Sequence, residues 1–225
     1  FPNDDDLHGP LKKTPADKRP AAEVVLKDFN EKGAAFTIAK KDFVTPLKLK
    51  GVYNIYNSAA ALTLVRTIAP EASMNSLLRA LSTVTPAFGR GETITVAGQP
   101  LELVLVKNPA GFRLSLESFN PEGYATMIAI NDNYADGRDM SWLWDVDFTS
   151  LSSSIYVTGI RAYDMALRLQ YDEVSIEKVE TELAAALTDF IQQHPDTPKR
   201  IYCTYTAMLA LRKELGKITQ VEVVS

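Results

Sequence analysis

The chain of 225 residues is poor in the groups that do most protein chemistry: one cysteine, two histidines and two tryptophans. A single cysteine rules out an internal disulfide framework and any cysteine-based metal ribbon within this sequence. Cys203 lies in the apolar run Ile201 to Tyr205, where it reads as a small buried hydrophobe rather than a nucleophile. His8 and His194 sit in polar, proline-adjacent surroundings, and neither has the look of a catalytic base. No block of Lys and Arg relieves the net charge of −4, which argues against nucleic acid as a partner. No apolar run reaches the length of a membrane span, and Phe1-Pro2-Asn3-Asp4-Asp5-Asp6 is unlike a signal peptide. We therefore expect a cytoplasmic protein that does not span a membrane, with no metal site of its own in these residues.

What the chain does have is 46% hydrophobic residues, enough for one large core or two modest ones. Residues 1–22 hold prolines, lysines and aspartates without apolar periodicity and read as a linker or truncated end, so a portion of a longer protein is expected. Val24–Leu26 and Ala35–Ile38 read as strands around the turn Asn30 to Gly33. A helix runs from Gly51 to Ile68 and is closed by Pro70, and a second spans Ser73 to Ser82. Pro86 to Glu92 reads as a glycine-rich hinge, which places a domain boundary between residues 87 and 88. Beyond it, strands are expected at Leu101–Val106, taken as a continuous apolar run, and at Thr126–Ile130, Ile155–Thr158 and Ile201–Tyr205. Helices are expected at Phe112–Phe119, Arg161–Tyr171, Ser175–Gln193 and Ala207–Leu215. Strands alternating with helices make an α/β fold with a Rossmann-like, mostly parallel, doubly wound sheet.

The stretch Asn131 to Phe148 opens where the strand Thr126–Ile130 ends, and ligands of open α/β sheets sit outside the carboxyl ends of the strands. Between Asp132 and Asp147 it carries five aspartates, with one glycine, one arginine and both tryptophans. One reading is a solvated acidic loop whose tryptophans fall back on the core; the other is a functional surface. Two further strand ends, at Lys107-Asn108-Pro109 and Thr158-Gly159-Ile160-Arg161, would face the same crevice. Trp142 and Trp144 divide between core packing and a partner contact, since tryptophan is enriched at interface hot spots. In the first helix, Asn54 and Asn57 lie on one face near the N-terminus, where amides cap a helix or read the edge of a base.

Taken together these motifs resemble the Mur ligases, and within them the MurT-type subunits of lipid II isoglutaminyl synthases. Gly51-x-Tyr53-Asn54-x-x-Asn57-x-Ala59-Ala60 is similar to the segment whose two asparagines hold adenine, and Phe88-Gly89-Arg90-Gly91-Glu92 to the linker whose arginine contacts nucleotide. Val106-Lys107-Asn108-Pro109 stands at the family's Asp-Tyr-Ala-His-Asn-Pro strand exit, with Val104 in place of the leading Asp. Asn131-Asp132-Asn133-x-Ala135-Asp136-Gly137-Arg138-Asp139 with Ser141-Trp142-x-Trp144-Asp145, and the later Tyr205 to Arg212, resemble MurT-type proteins in particular. The resemblance covers about residues 20–220 and implies the end of a Mur-type central domain at 23–87, followed by a C-terminal domain at 88–225.

What the resemblance implies is ATP-dependent amidation of the D-glutamate α-carboxylate in the lipid II stem peptide, at the inner face of the membrane during peptidoglycan synthesis. Ammonia would come from a GatD-like class I glutaminase, whose Cys–His pair takes its third member from the MurT-type subunit. By motif position that residue is Asp139, with Asp136 as competitor; Asp139 also suits a cap of the turn at Met140-Ser141. Asn54, Asn57, Arg90, Lys107 and Asn108 would serve the nucleotide, with Mg²⁺ beside it. Neither a Gly-Lys-Thr/Ser phosphate loop nor the family's four-cysteine ribbon occurs here, so phosphate binding and any zinc would belong to upstream sequence, and the piece alone should not turn over ATP. The alternatives are a non-catalytic interaction module and a stand-alone Mur-like amino-acid ligase.

Overall fold

The computed structural model describes residues 21–30, 32–49, 51–85, 90–119 and 121–221, with the side chains of Val52 and Arg90 outside that set. The chain divides into two compact units between Thr85 and Pro86. In the first, β1 (Val24–Asn30), β2 (Gly33–Ile38) and β3 (Lys41–Pro46) form an antiparallel sheet in that order. The third strand was hidden in the sequence by its charged start, Lys41-Asp42, and by Val44, which is 80% exposed. Ala34, Phe36 and Ile38 alternate along β2, and their buried side chains cluster with Ile55 and Leu62 of α1 (Val52–Ile68) and Leu81 of α2 (Met74–Thr83).

The second unit is built on β4 (Arg90–Val96), β5 (Gln99–Leu105), α3 (Pro109–Ser118), β6 (Ala125–Ala129), β7 (Ile155–Thr158), α4 (Ala162–Tyr171), β8 (Ile176–Glu180), α5 (Leu183–Gln193), β9 (Lys199–Cys203) and α6 (Tyr205–Leu215). Its six strands lie in the order β4-β5-β9-β6-β7-β8, with β4 antiparallel to β5 and every other neighbouring pair parallel. This is the expected mixed α/β fold with a mostly parallel sheet. Helices cover both faces. Val104, Ile128 and Tyr202 point into a core shared with Phe112 of α3 and Met165 of α4, while Leu103, Met127 and Ile201 meet Phe190 of α5 and Leu211 of α6.

Three expectations need correction. Ser175–Gln193 is not one helix: Ile176–Glu180 is strand β8, and only Leu183–Gln193 is helical. The glutamates and lysine of that segment favour a helix locally, yet they suit an edge strand, whose single neighbour β7 leaves the outer side to charge. The glycine-rich hinge expected over Pro86 to Glu92 is strand at its last three residues. Residues 86–89 lie outside the described set, and Arg90-Gly91-Glu92 already runs in β4, with an irregular register opposite Val104 and Leu103. Finally, the run Leu101–Val106 is broken by Glu102, which is buried and paired at 2.8 Å with Arg200, its neighbour on β9.

The consequence for function is the long excursion between β6 and β7. It departs from the carboxyl end of β6, which is pressed at Ile130 and Asn131 against the carboxyl end of β7 at Gly159. Gly159 adopts φ +100°, and a Cβ there would stand 2.4 Å from Ile130 O and 2.9 Å from Asn131 Oδ1. Only glycine fits that approach. Gly159→Ala is expected to destabilise the second unit by about 2–4 kcal/mol, combining a disfavoured φ with a backbone clash. Urea denaturation of the two proteins measures it.

Candidate functional site

The excursion is held at its near end by a polar clamp that reaches across the chain to α6. Asn131 is buried, and three of its polar groups reach other strand exits: its N–H donates to Thr204 Oγ1 at 2.9 Å, its Nδ2 to Thr206 Oγ1 at 3.1 Å, and its Oδ1 accepts from Ile160 N–H at 3.0 Å. Asn131 thus ties together the exits of β6, β7 and β9. A short 3-10 turn, Tyr134–Asp136, then brings a buried carboxylate to the start of α6. Asp136 accepts from Thr206 N–H at 2.8 Å and from Thr206 Oγ1 at 2.5 Å, and Asn133 N–H donates to its Oδ2 at 3.1 Å. A carboxylate on the first-turn N–H of a helix satisfies an orphan donor and meets the positive end of the helix dipole. The N-cap Thr204 makes no such bond with its own side chain.

Asp139, three residues on, is placed differently. It is exposed, and its Oδ1 accepts from Ser141 N–H at 2.9 Å. That backbone bond, helped by the Ser141 hydroxyl, holds its carboxyl below the ordinary aspartate range and keeps it charged at neutral pH. Ser141–Asp145 forms a second 3-10 turn, flanked by the buried Met140 and Val146. Trp142 packs on the core, 6.4 Å from the Phe112 ring, whereas Trp144 is 48% exposed and meets Tyr171 edge-on at 5.0 Å. The far end of the excursion is gripped by α4. Arg168 donates from Nε to Leu143 O at 3.2 Å and from Nη2 to Val146 O at 2.6 Å, and pairs with Asp172 at 2.6 Å.

Of the three strand ends expected around one crevice, those of β6 and β7 meet through Asn131 and through the looser pair of Arg161 with Asp132, at 3.8 Å. The β5 exit behaves otherwise. Asn108 Oδ1 accepts from Gly111 N–H at 2.7 Å, so this side chain caps α3, with Pro109 opening the helix, and Lys107 is exposed. Asn54 and Asn57 belong to the first unit, on α1; Asn54 is buried and Asn57 exposed. The Arg90 side chain lies outside the described residues. Cys203 is fully buried, with burial pushing its thiol up, out of reach of nucleophilic work. Among the described residues no three His, Cys, Asp or Glu side chains gather as metal ligands. Among them, too, no helix is long and apolar enough to cross a membrane.

Sequence reasoning missed Asn131, Thr206 and Arg168. Asn131 could have been noticed as the first polar residue after an apolar strand. Thr206 and Arg168 act on partners far away in the chain and carry no local signal.

The mixed α/β fold with its six-stranded, mostly parallel sheet is shared with solved Mur ligases. MurF from Acinetobacter baumannii superposes with a TM-score of 0.67 at 18% identity, over 87% of this chain and 45% of that one. MurF ligase from Thermotoga maritima in complex with ADP gives a TM-score of 0.57 at 16% identity, over 87% and 47%. Residues 105–208 match the MurT ligase C-terminal family, and the chain belongs to the MurT-type Mur ligases. It is 32% identical over 177 residues to a lipid II isoglutaminyl synthase (glutamine-hydrolyzing) subunit MurT of Streptococcus pneumoniae, over 76% of this chain and 39% of the relative. The chain therefore spans well under half the length of that relative.

The clamp makes a prediction about Asp136. An asparagine there keeps one acceptor oxygen where three donors need two, so Asp136→Asn should cost about 1–3 kcal/mol of stability. Chemical denaturation of the second unit checks it, and an unchanged midpoint would show that the clamp contributes little.

Proposed function

We propose that this chain is part of the ligase subunit of a two-subunit amidotransferase that converts the D-glutamate α-carboxylate of the lipid II stem peptide to an amide. The family match over residues 105–208 and the relative's name support this reading. A carboxylate does not react with ammonia directly, because oxide is too poor a leaving group. ATP therefore phosphorylates it, and ammonia then displaces phosphate from the acyl phosphate. Ammonia is reactive only when unprotonated, which favours its release by hydrolysis of glutamine inside a complex.

In this reading the glutaminase is a separate class I, GatD-like subunit with a Cys–His pair, and Asp139 supplies the third group. Such a carboxylate orients the imidazole and stabilises its charged form. The observation that carries the assignment is the contrast between the neighbouring aspartates. Asp136 is buried with both oxygens engaged inside its own chain, whereas Asp139 is exposed, anionic and steadied by Ser141 alone among the bonds described. The complex would work in the cytoplasm at the membrane's inner face.

The nucleotide is proposed to be ATP, in line with the ADP named for the Thermotoga maritima neighbour. The exposed amide of Asn57 fits a hydrogen bond to a base edge, and Asn54 lies one turn earlier on the same helix. Arg90 is proposed to meet the ribose or phosphates. Lys107 is exposed and suits an anion, while Asn108 is occupied as a helix cap. Mg²⁺ would travel with the phosphates, and among the described residues no group of three His, Cys, Asp or Glu side chains gathers for it or for zinc. A reading as an interaction module has one observation in its favour: the 225 residues hold no Gly-Lys-Thr/Ser loop for the phosphates.

Two experiments test the proposal. In the full-length subunit bound to its glutaminase, Asp139→Asn should leave assembly intact and slow glutamine hydrolysis by up to ~10⁴-fold, the scale seen when a triad loses its carboxylate. Ammonia supplied directly should restore amidation. Full hydrolysis by this variant would refute the assignment. Replacing both Asn54 and Asn57 by alanine should weaken ATP binding to the full-length subunit about tenfold or more, the scale of one or two lost hydrogen bonds. Calorimetry giving an unchanged affinity would remove these residues from the nucleotide site.

A further inference from the structure

Asp139 lies between two fixed points, and the second has no counterpart in the motifs that suggested the function. Upstream, Asp136 is locked to Thr206. Downstream, the bonds described for Asp139 come from Ser141, from its N–H and its hydroxyl, so the carboxylate is as well placed as the 3-10 turn that Ser141 opens. Within that turn Leu143 N–H donates to Met140 O at 3.1 Å, and Val146 N–H to Leu143 O at 3.3 Å. A 3-10 segment of five residues is short, and its hydrogen-bond geometry is poorer than that of an α-helix.

What holds it is the guanidinium of Arg168, 7% exposed in the last turn of α4. Its planar fork takes Leu143 O and Val146 O, the carbonyls at either end of the last turn of this segment. Its third direction is closed by Asp172 Oδ1 one helical turn away, and Asp172 Oδ2 accepts from Phe148 N–H at 2.8 Å. The faces of the guanidinium are covered by Trp144 and Phe148, each with its ring centroid 5.5 Å away. Arg168 and Asp172 thus bind three consecutive anchor points of the excursion, at residues 143, 146 and 148, to one rigid helix. A buried arginine whose Nε and Nη2 are directed at a loop backbone, with Nη1 held by Asp172, indicates a site that must keep its geometry.

We infer that Arg168, oriented by Asp172, is a positioning residue that sets where Asp139 stands toward the partner's histidine. The inference rests on the proposed role of Asp139. Lysine at position 168 keeps the charge and can pair with Asp172, but a point ammonium cannot span two carbonyls as the fork does.

The test uses the full-length subunit in complex with its glutaminase, with Arg168→Lys, Asp139→Asn and the double variant compared. Arg168→Lys should lower kcat for glutamine hydrolysis by about 10- to 100-fold, the effect of a displacement on the order of an ångström, with KM for glutamine unchanged. Amidation driven by added ammonia should remain at the wild-type rate. In the Asp139→Asn background, Arg168→Lys should lower hydrolysis no further, because its effect passes through the carboxylate already lost. Additive losses, an equal loss of ammonia-driven amidation, or full hydrolysis by Arg168→Lys while Asp139→Asn is impaired would overturn the inference and leave the role of Asp139 standing. Full hydrolysis by Asp139→Asn would overturn both. Should Arg168→Lys not fold, Asp172→Asn carries the same comparison, with a smaller fall in kcat expected and the same non-additivity required.

Discussion

The bond between Asp136 and Thr206 is the constraint on which the carboxyl edge of the parallel sheet depends. It joins two segments 70 residues apart, the excursion after β6 and the first turn of α6. Without it, the N-terminal N–H groups of α6 would lack this acceptor, and the start of the excursion would lose its grip on the neighbouring strand exits. A single buried carboxylate does both, at a cost in desolvation that three donated hydrogen bonds offset. Asn131 extends the same network to β7 through Ile160 N–H. The network leaves little freedom to the residues that follow, and Asp139 follows at once.

The five aspartates of the segment thereby divide by task, although in the sequence they look alike. Asp132 faces Arg161, Asp136 is consumed by the clamp, and Asp139 and Asp147 each turn back to accept a backbone N–H two residues on. Asp145 is exposed at the end of the 3-10 turn. The crowding of aspartates is tolerable because one member of the set is solvated by hydrogen bonds in the interior while the others lie at the surface. The two tryptophans divide in the same way. Trp142 belongs to the core and Trp144 to the surface, where it also covers one face of Arg168.

The sheet supplies the edge, and the excursion adds to it a surface on which the exposed carboxylates of Asp139 and Asp147 are each held by a backbone N–H. The buried pairs Glu102–Arg200 and Glu92–Arg212 bind the strands β5, β9 and β4 and the end of α6 around it. Each of these ion pairs satisfies its partner in the interior, where an unpaired charge would be strongly destabilising.

The sequence by itself determined the elements whose signal is local. The buried strands β6, β7 and β9 are short apolar runs, Asn108-Pro109 is a helix start written in adjacent residues, and the alternation of these elements implied the parallel sheet. The position of the acidic segment at a strand's carboxyl end followed from the same pattern. Besides β3, two strands of the second unit escaped because their local composition belongs to another class of structure. The Glu and Lys of β8 favour a helix until β7 offers backbone partners, and the glycines around Arg90 suggest a hinge until β5 pairs with β4. Which aspartate is buried and which faces water was undecidable from the sequence, since Asp136 and Asp139 occupy equivalent polar surroundings three residues apart. Only the tertiary structure decided it, because the donor that claims Asp136 and the guanidinium that anchors the turn after Asp139 come from helices far along the chain, and contacts at such separation leave no trace in local pattern.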